Sequence, residues 1–520
     1  MGSHEIHATN AMHYLMSHPT QAILWGFALL LILNIVQCIL QIFRSDLRSI
    51  PGPLSARFTT LYRPLKVLGG NAPEFYHELH QKYGPIVRTG PNIVSISDPS
   101  AIGPIYSIGS KFFKSAFYTV FDAVYKDSPM PSMFSVRDPA QHQALRRPVA
   151  QKFSMSSIKA MEPFADDCSD IFISSMKELS GQDVDLGEWL QWYAFDVISA
   201  ITFQRRFGFM EQRKDVESMI SDISFVLEAA AVVGQVPTLH PWTLGNNYVA
   251  KVLAWQPLVR VPDPLRTVVK FTEDCIAQYD KNPPEQHRPD FLGWLRQENT
   301  KGEQMSQKDL VNHLSNNLLA GSDTTAISLR AIIYYLVKNP DCFAKAQSEV
   351  DRAHQEAKLS KHITYAECLQ LPYLQAAMKE AMRCCPGVSF PLERIVPAGG
   401  AQLCGVHLNE GTIVGINPAV IHRDRSIFGP DADKFNPERW LGSDTENIKR
   451  MDRHLMTFGY GSRTCIGKNI SIMEMGKLVP AILRNFDLEW ASKDPEWKVK
   501  TYWFARQEGL ICRLRWRKGV

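Results

Sequence analysis

Apolar residues recur at helical spacing over most of the chain. They fall three or four positions apart, which places them on one face of an α-helix with polar residues on the other face. The longest such stretch covers residues 306–338, where Ser306 is a favourable N-cap and Asn339-Pro340 is a stop signal. The same spacing predicts further helices at 160–179, 190–202, 216–233, 265–280, 341–356 and 468–484.

Stretches with the pattern of a β-strand are short and few. Gly84-Pro85 is followed by residues 86–89 and 93–96, which predict a turn and a small β-hairpin. Residues 406–408 and 412–417 predict additional strands. Because the helical stretches greatly outweigh these strands, the sequence predicts a mainly α protein with small β-sheets.

Residues 22–43 form a nearly continuous apolar run. A helix of about 22 residues spans roughly 33 Å, enough to cross the hydrocarbon core of a bilayer. No Lys or Arg precedes the run, whereas Arg44, Arg48, Arg57 and Arg63 follow it. The positive-inside rule therefore predicts a single-pass anchor with the C-terminal bulk of the chain in the cytoplasm.

A cleaved signal peptide is the competing interpretation of this run. It fits poorly, because the run is long, no basic residue precedes it and no small-residue cleavage site follows it. Pro51-Gly52-Pro53 then indicates a stiff hinge. The predicted organisation is a lumenal tail (1–21), a transmembrane anchor (22–43), a hinge (44–53) and a catalytic domain (54–520).

Composition excludes several classes of function. With 520 residues, 45% of them hydrophobic, the chain can bury a large core. The net charge of +4 is small for this length, and no basic run with interleaved aromatic residues occurs, so nucleic-acid binding is not expected. The ten cysteines include no CxxC pair and no regular spacing, which argues against a disulfide framework and predicts a reducing compartment for the folded part.

One cysteine near the C-terminus stands in a pattern suited to metal binding. The segment reads Phe458-Gly459-Tyr460-Gly461-Ser462-Arg463-Thr464-Cys465-Ile466-Gly467. Its glycines allow a loop that turns backbone amides toward the Cys465 sulfur, and Phe458 can shield that sulfur from water. Arg463 is placed to meet a haem propionate, and Gly467 lets the next helix start close to a porphyrin. The segment therefore predicts that Cys465 is a thiolate ligand of haem iron.

A buried free cysteine is the usual fate of a lone Cys. The combined spacing of Phe, Gly, Arg, Cys and Gly disfavours that alternative here. The segment matches FxxGxRxCxG, and over nearly its full length the chain resembles the cytochrome P-450 superfamily of haem-thiolate monooxygenases. Within that superfamily it is similar to membrane-anchored, pisatin-demethylase-like enzymes of filamentous fungi. The resemblance implies the cytochrome P-450 fold and haem b as the cofactor.

Glu380 and Arg383 are three residues apart and lie on one face of a predicted helix. Alone, this spacing is common in surface salt bridges, which contribute little. Residues 435–440 look like the PERF segment of the family. The resemblance implies that Arg439, from that segment, joins Glu380 and Arg383 in a buried triad that locks the Cys loop.

Residues 320–325 resemble the oxygen-binding segment of the family's long central helix. Gly321 weakens a helix interior, which suits a local opening above the iron. Thr324 can hydrogen-bond a ligand there, and Asp323 is an acid able to relay protons from solvent. The alternative is a Ser/Thr-rich stretch on a solvated helix face, but its flanks are apolar.

Further cofactor-binding residues are implied by the resemblance. His142 and Arg146 occupy the place of the family's WxxxR motif, with His142 in place of Trp. Arg394 matches the strand arginine that binds haem. Arginine suits a propionate because its planar fork can bind a carboxylate with two hydrogen bonds.

The resemblance also implies partners and location. Electrons would come from an NADPH-dependent flavoprotein reductase on the same membrane, the endoplasmic reticulum, and the substrate would be a hydrophobic small molecule. The basic residues that could dock an acidic partner are Arg147, Lys152, Lys449, Arg450, Arg453 and Lys468.

Two other functions remain open at this point. One is a reductase-independent haem-thiolate isomerase or dehydratase, which would not need the pair Asp323 and Thr324. The other is a membrane-bound haem sensor or electron carrier, which would need neither a substrate pocket nor a proton relay.

Overall fold

The computed structural model describes residues 45–126, 128–243, 264–282, 288–297, 302 and 304–518. It also describes nine residues in the range 21–40. Within these residues, no helix is both long enough and apolar enough to cross a membrane. Most of the predicted anchor, 22–43, lies outside the described residues. The predicted tail, 1–21, lies outside them as well, except for its last residue.

Helices make up most of the described chain. In order they are α1 (Ser45–Arg48), α2 (Leu54–Phe58), α3 (Tyr62–Val67), α4 (Ala72–Tyr83), α5 (Ile102–Tyr106), α6 (Pro139–Arg146), α7 (Met155–Lys159), α8 (Glu162–Glu178), α9 (Leu186–Phe203), α10 (Phe209–Gln212), α11 (Met219–Val233), α12 (Pro264–Lys281), α13 (Phe291–Arg296), α14 (Gln307–Lys338), α15 (Pro340–Gln355), α16 (Tyr365–Cys368), α17 (Pro372–Cys384), α18 (Pro418–Ile421), α19 (Arg425–Phe428), α20 (Thr445–His454) and α21 (Lys468–Asn485).

The strands are short and form small sheets. They are β1 (Ile86–Gly90), β2 (Ile93–Ile96), β3 (Phe113–Lys114), β4 (Ala123–Tyr125), β5 (Ser128–Met130), β6 (Asp183–Asp185), β7 (Arg394–Ile395), β8 (Ala401–Leu403), β9 (Val406–Leu408), β10 (Ile413–Ile416), β11 (Phe486–Trp490), β12 (Lys498–Tyr502), β13 (Phe504–Glu508) and β14 (Ile511–Trp516). The largest sheet has the order β1-β2-β10-β7-β3, and the others have two or three strands. The prediction of a mainly α protein with small sheets is confirmed.

The long helix α14 runs through the core beside α9. Ser306 begins α14, because its side chain accepts a hydrogen bond from the Asp309 N–H at 3.1 Å, and the helix ends before Pro340. Gly321 faces Ile198 of α9, and a Cβ at that position would lie 2.7 Å from the Ile198 side chain. Glycine is therefore needed here for close helix packing. The local opening predicted at Gly321 is not seen, since α14 is continuous from 307 to 338.

The main hydrophobic core brings α8, α9, α14, α17 and α21 together. Each of the seven helices predicted from apolar spacing is present, with ends within about four residues of the prediction. The β1–β2 hairpin and strands β9 and β10 are also confirmed. The strands β11 to β14 were not predicted. Each of them carries two charged residues among its apolar ones, so apolar alternation is weak there.

Arg63, one of the basic residues that follow the apolar run, is buried in the folded domain. Its side chain is 3% exposed, and its Nη2 donates to the Glu393 Oε1 at 2.5 Å. The flank of Arg44, Arg48, Arg57 and Arg63 that the positive-inside rule uses stays a prediction, and the structure adds that Arg63 has a buried carboxylate partner. Only the fold reveals this, because the partner carboxylate lies 330 residues further along the chain.

Candidate active site: a cysteine loop on an apolar cavity

Cys465 lies in a loop between the 3₁₀ turn Gly461–Arg463 and helix α21. The Cys465 N–H donates to the Phe458 carbonyl oxygen at 2.8 Å, which closes the loop. Gly461 has φ 61°, and a Cβ there would lie 1.9 Å from the Tyr106 carbonyl oxygen. Only glycine fits this position, as the loop pattern predicted.

The Cys465 sulfur is surrounded by protein but faces a cavity. Burial raises the pKa of the Cys465 thiol, while the N–H groups of Gly467 and Lys468 and the guanidinium of Arg146 act in the opposite direction. The side chain is nevertheless exposed, and it lines the wall of the cavity. Amides and a cation directed at sulfur favour the thiolate, the form that binds metals.

The cavity has a volume of about 310 Å³. Most of its wall is apolar, and the described lining residues include no Asp or Glu. The predicted site residues that line it are His142, Arg146, Thr324, Arg394, Phe458, Arg463, Cys465 and Gly467.

Four cations line one region of this cavity. Lys114 of β3 is the direct cross-strand partner of Arg394 of β7, and both side chains are buried. Burial, with the charges of Arg394 and Arg463, lowers the pKa of Lys114 well below its usual value. Burial likewise lowers the pKa of Arg463 to about 10. Arg146 completes this group, which we name the cation cradle: Lys114, Arg146, Arg394 and Arg463.

Among the described residues, no carboxylate forms an ion pair with a cation of the cradle. Glu393 is next to Arg394 in sequence, but its carboxylate accepts hydrogen bonds from Arg63 at 2.5 Å and from the Ser115 hydroxyl at 2.6 Å. The four side chains donate hydrogen bonds to neutral oxygens, among them backbone carbonyls of Phe134, Thr464, Glu393 and Val136, which leaves their charge uncompensated. Burying charge without a counter-charge is costly, so this arrangement calls for an anionic ligand. A haem has two propionates and an iron that binds thiolate. The cradle and Cys465 share one cavity, and the chemistry of these residues fits that cofactor.

His142 stands among the cations as a neutral ring. Burial and the nearby charges, first that of Arg463, lower the pKa of His142 to about 4. A neutral imidazole can still donate one hydrogen bond to a carboxylate. The replacement of Trp by His at this position is therefore compatible with the predicted contact.

The residues of the predicted triad meet behind the Cys loop. Arg383 Nε and Nη2 donate to the two oxygens of Glu380 at 2.9 and 2.8 Å, and Arg439 Nε donates to Glu380 Oε1 at 2.8 Å. Glu380 also accepts from Trp440 Nε1 and from the Asn436 N–H. The carboxylate is fully buried, so the alternative of a surface salt bridge is excluded.

Asp323 and Thr324 face different cavities. Thr324 lines the cavity of Cys465, and its hydroxyl donates to the Ala320 carbonyl at 2.7 Å. Asp323 instead lines a second, more polar cavity of about 350 Å³. There it accepts from Gln191 Nε2 at 2.6 Å, and Gln191 Oε1 accepts from Arg330 at 2.6 Å. Burial raises the pKa of Asp323, so this side chain holds a proton more readily than an exposed aspartate.

Lys114, Gln191 and Arg330 were missed by sequence reasoning. No local motif contains them. Lys114 matters because β3 pairs with β7, and Gln191 matters because α9 packs on α14. Neither pairing can be deduced from spacing along the chain.

Lys114→Met is expected to have opposite effects on the protein with and without haem. Removing a buried cation that has a backbone carbonyl but no carboxylate as its partner should stabilise the cofactor-free protein. Removing a carboxylate partner should weaken haem binding, roughly tenfold or more. Denaturant unfolding of the cofactor-free protein and haem transfer to an excess of an acceptor protein measure the two effects.

The exposed Lys111 is the matched control for this experiment, and Lys111→Met should change neither quantity. Unchanged haem transfer from the Lys114 variant would exclude Lys114 from the cofactor site.

The sequence matches the Cytochrome P-450 family over residues 51–511. The chain is 36% identical to "Cytochrome P-450 monooxygenase cicH" of Emericella nidulans, over 92% of this chain and 95% of the relative. It is 37% identical to a "Cytochrome P-450 monooxygenase" of Aspergillus terreus, over 86% of this chain and 92% of the relative. It is also 34% identical to "Pisatin demethylase" of Fusarium vanettenii, over 91% of this chain and 90% of the relative. With the cysteine loop, the buried Glu380 cluster and the cavity in place, the chain belongs to the cytochrome P-450 family and is an oxidoreductase of that family.

Proposed function

We propose that this protein is a haem-thiolate monooxygenase that inserts one oxygen atom of dioxygen into a hydrophobic small molecule. One observation carries the proposal: the Cys465 sulfur and the cation cradle open into the same cavity. Haem b, held through its iron by Cys465 and through its propionates by the cradle, supplies dioxygen activation when bound. The side chains of the protein bind the substrate, exclude water and supply protons.

The walls of the cavity select the substrate. Aromatic and aliphatic side chains cover most of its surface, and the charged groups are confined to the cradle, His142 and the Cys loop. Such a wall excludes water and favours an apolar molecule. The apolar lining includes Val120, Phe121, Phe134, Ile198, Leu227, Val388, Leu392, Trp503 and Phe504.

Asp323 and Thr324 are the proposed proton-carrying groups on two sides of helix α14. The carboxyl of Asp323 takes up protons in the second cavity, which is lined by many polar residues. The hydroxyl of the neighbouring Thr324 holds a proton in the cavity of Cys465. The raised pKa of Asp323 supports this role, because a carboxyl that retains its proton can act as a general acid.

Thr324→Val is expected to lower the amount of product formed for each NADPH consumed. The valine keeps the shape of threonine but cannot hold a proton, so peroxide should accumulate at the expense of product. The measurement is the ratio of product and peroxide to NADPH consumed.

Thr325→Val is the matched control, because the Thr325 hydroxyl bonds to Ser471 instead of facing this cavity. An unchanged ratio in the Thr324 variant would refute the proton role assigned to Thr324.

Association with the endoplasmic reticulum membrane is part of the proposal. The first helices after the hinge expose large apolar side chains, as do the described residues of the apolar run 22–43. A surface of this kind is stabilised by contact with lipid. Those after the hinge are Leu54, Phe58, Leu61, Leu65 and Leu68.

An NADPH-dependent reductase is the proposed electron donor. The basic residues Arg147, Lys449, Arg450, Arg453 and Lys468 are exposed, and Lys152 is half-buried. Lys468 is only three residues from Cys465, which places positive charge near the thiolate. A role in the biosynthesis of fungal secondary metabolites is part of the proposal, and the similarity to fungal monooxygenases and to a pisatin demethylase is compatible with it.

Reduction of the protein under carbon monoxide tests the proposal. A thiolate-type, red-shifted Soret band is expected, followed by NADPH- and reductase-dependent oxygenation of a hydrophobic substrate. A band without NADPH-dependent product would favour an isomerase or an electron carrier. Folded, haem-loaded protein without the band would refute thiolate ligation.

A further inference from the structure

We propose that His422 positions the cysteine loop by linking the Glu380–Arg383 pair to the backbone of Met456. His422 follows helix α18 and belongs to none of the motifs described above. The proposal rests on the proposed role of Cys465 as the haem ligand, and it concerns a positioning residue, because His422 is not among the residues that line the cavity.

The His422 ring donates one hydrogen bond and accepts another. Its Nε2 lies 2.8 Å from the Met456 backbone nitrogen, which can only donate, so Nε2 is the acceptor. Its Nδ1 lies 3.0 Å from the Arg383 carbonyl oxygen, which can only accept, so Nδ1 carries the proton. The side chain is 1% exposed. Burial and the charge of Arg383 lower the pKa of His422 to about 3, in agreement with a neutral ring.

Arg383 ties this ring to the buried triad. The Arg383 Nη1 donates to the His422 carbonyl oxygen at 2.5 Å, so the two residues bond to each other in both directions. The same guanidinium is held by Glu380 through two hydrogen bonds. The Glu380–Arg383 ion pair therefore fixes the position of His422.

Met456 is where this network reaches the loop. Its carbonyl accepts from the Gly459 N–H at 2.9 Å, and two residues further on the Phe458 carbonyl accepts from the Cys465 N–H at 2.8 Å. The Thr457 hydroxyl donates to the Met382 carbonyl at 3.3 Å, a second contact with the last turn of α17. Without the ring, the Met456 N–H would be buried and unpaired, and the first residues of the loop would lose one of their two attachments.

Substituting His422 by asparagine or by glutamine tests the two hydrogen bonds of the ring one at a time. In His422→Asn the side-chain amide can take the place of Nδ1 and donate to Arg383, but it is too short to reach Met456. In His422→Gln the amide oxygen can take the place of Nε2 and accept from Met456. Both variants are neutral and polar, so they differ mainly in whether the loop remains attached.

The thiolate-type Soret band of the reduced carbon monoxide complex is the first readout. We expect His422→Asn to lose this band roughly tenfold faster than the wild type, and His422→Gln to lose it at nearly the wild-type rate. Far-UV circular dichroism under the same conditions should show unchanged helix content while the band is lost. Equal rates in the two variants, or loss of the band only in step with helix content, would overturn the proposal.

The control is His80→Asn. His80 is also buried and joins two elements, through Gly84 and Ser95, but it lies outside the cysteine loop. This variant should leave the rate of band loss unchanged, since its hydrogen bonds do not include Met456. A loss as fast as that of His422→Asn would mean that any buried histidine has this effect and would overturn the proposal.

Hydrogen exchange of the cofactor-free wild type gives an independent test. The Met456 amide should exchange at least roughly tenfold more slowly than the amide of Ser462, an exposed residue of the same loop. Equal exchange would overturn the role of His422 even if Cys465 is the haem ligand. Absence of the thiolate band from the wild-type protein would instead refute the proposed function, so the two failures are distinguishable.

Discussion

Cys465→Ser is expected to abolish the thiolate-type Soret band and the oxygenase activity, while leaving the fold intact. A serine hydroxyl is close to the thiol in size but remains protonated, and it donates little electron density to iron. The loop should keep its shape, because its closing hydrogen bond uses the backbone nitrogen of residue 465. The measurement is the spectrum of the reduced carbon monoxide complex, with far-UV circular dichroism as the test of folding.

Cys404→Ser is the matched control. Cys404 is a half-buried cysteine in the turn between β8 and β9, and it does not line the cavity. This variant should have the wild-type spectrum. If Cys465→Ser kept the thiolate-type band, another residue would be the ligand and the proposed function would lose its basis.

Glu380→Gln is expected to lower the free energy of unfolding by about 3–5 kcal/mol, because it removes the only carboxylate of the described chain that pairs with Arg383. The amide has nearly the shape of the carboxylate, so steric disruption is small. Two arginines and the indole N–H of Trp440 now converge on a neutral group, one end of which is itself a donor. Arg439 has a second carboxylate, Asp431 at 3.0 Å, whereas Arg383 pairs with no other carboxylate of the residues that the structure describes.

Urea unfolding followed by far-UV circular dichroism measures this loss. Glu446→Gln is the matched control, because Glu446 pairs with Lys449 on the surface and such pairs contribute little. The Glu380 variant should also hold haem less firmly, since Arg383 connects to the cysteine loop through His422. Unfolding of Glu380→Gln at the wild-type urea concentration would show that the buried ion pair contributes little to stability.

The cysteine loop and the Glu380–Arg383 pair could be predicted because their chemistry is local. The loop needs glycines at fixed distances from Cys465, and the pair needs only a helical spacing of three. Helix α14 was predicted with nearly correct ends, because a capping serine and a proline mark its limits. By contrast, the roles of Asp323 and Thr324 were inferred from adjacency in sequence. Consecutive residues of an α-helix point about 100° apart, so the two side chains reach different cavities.

The amino-acid sequence by itself determined the helical fold class, the thiolate candidate Cys465 and the long helix beside it, because periodicity and backbone requirements act over a few residues. The tertiary structure alone decided that Lys114 opposes Arg394, that Arg63 is buried against Glu393 and that His422 joins the triad to Met456. Each of these contacts connects residues that lie between 34 and 330 positions apart. Their charges and hydrogen bonds become significant only where the fold excludes water, and that burial is a property of the packed chain.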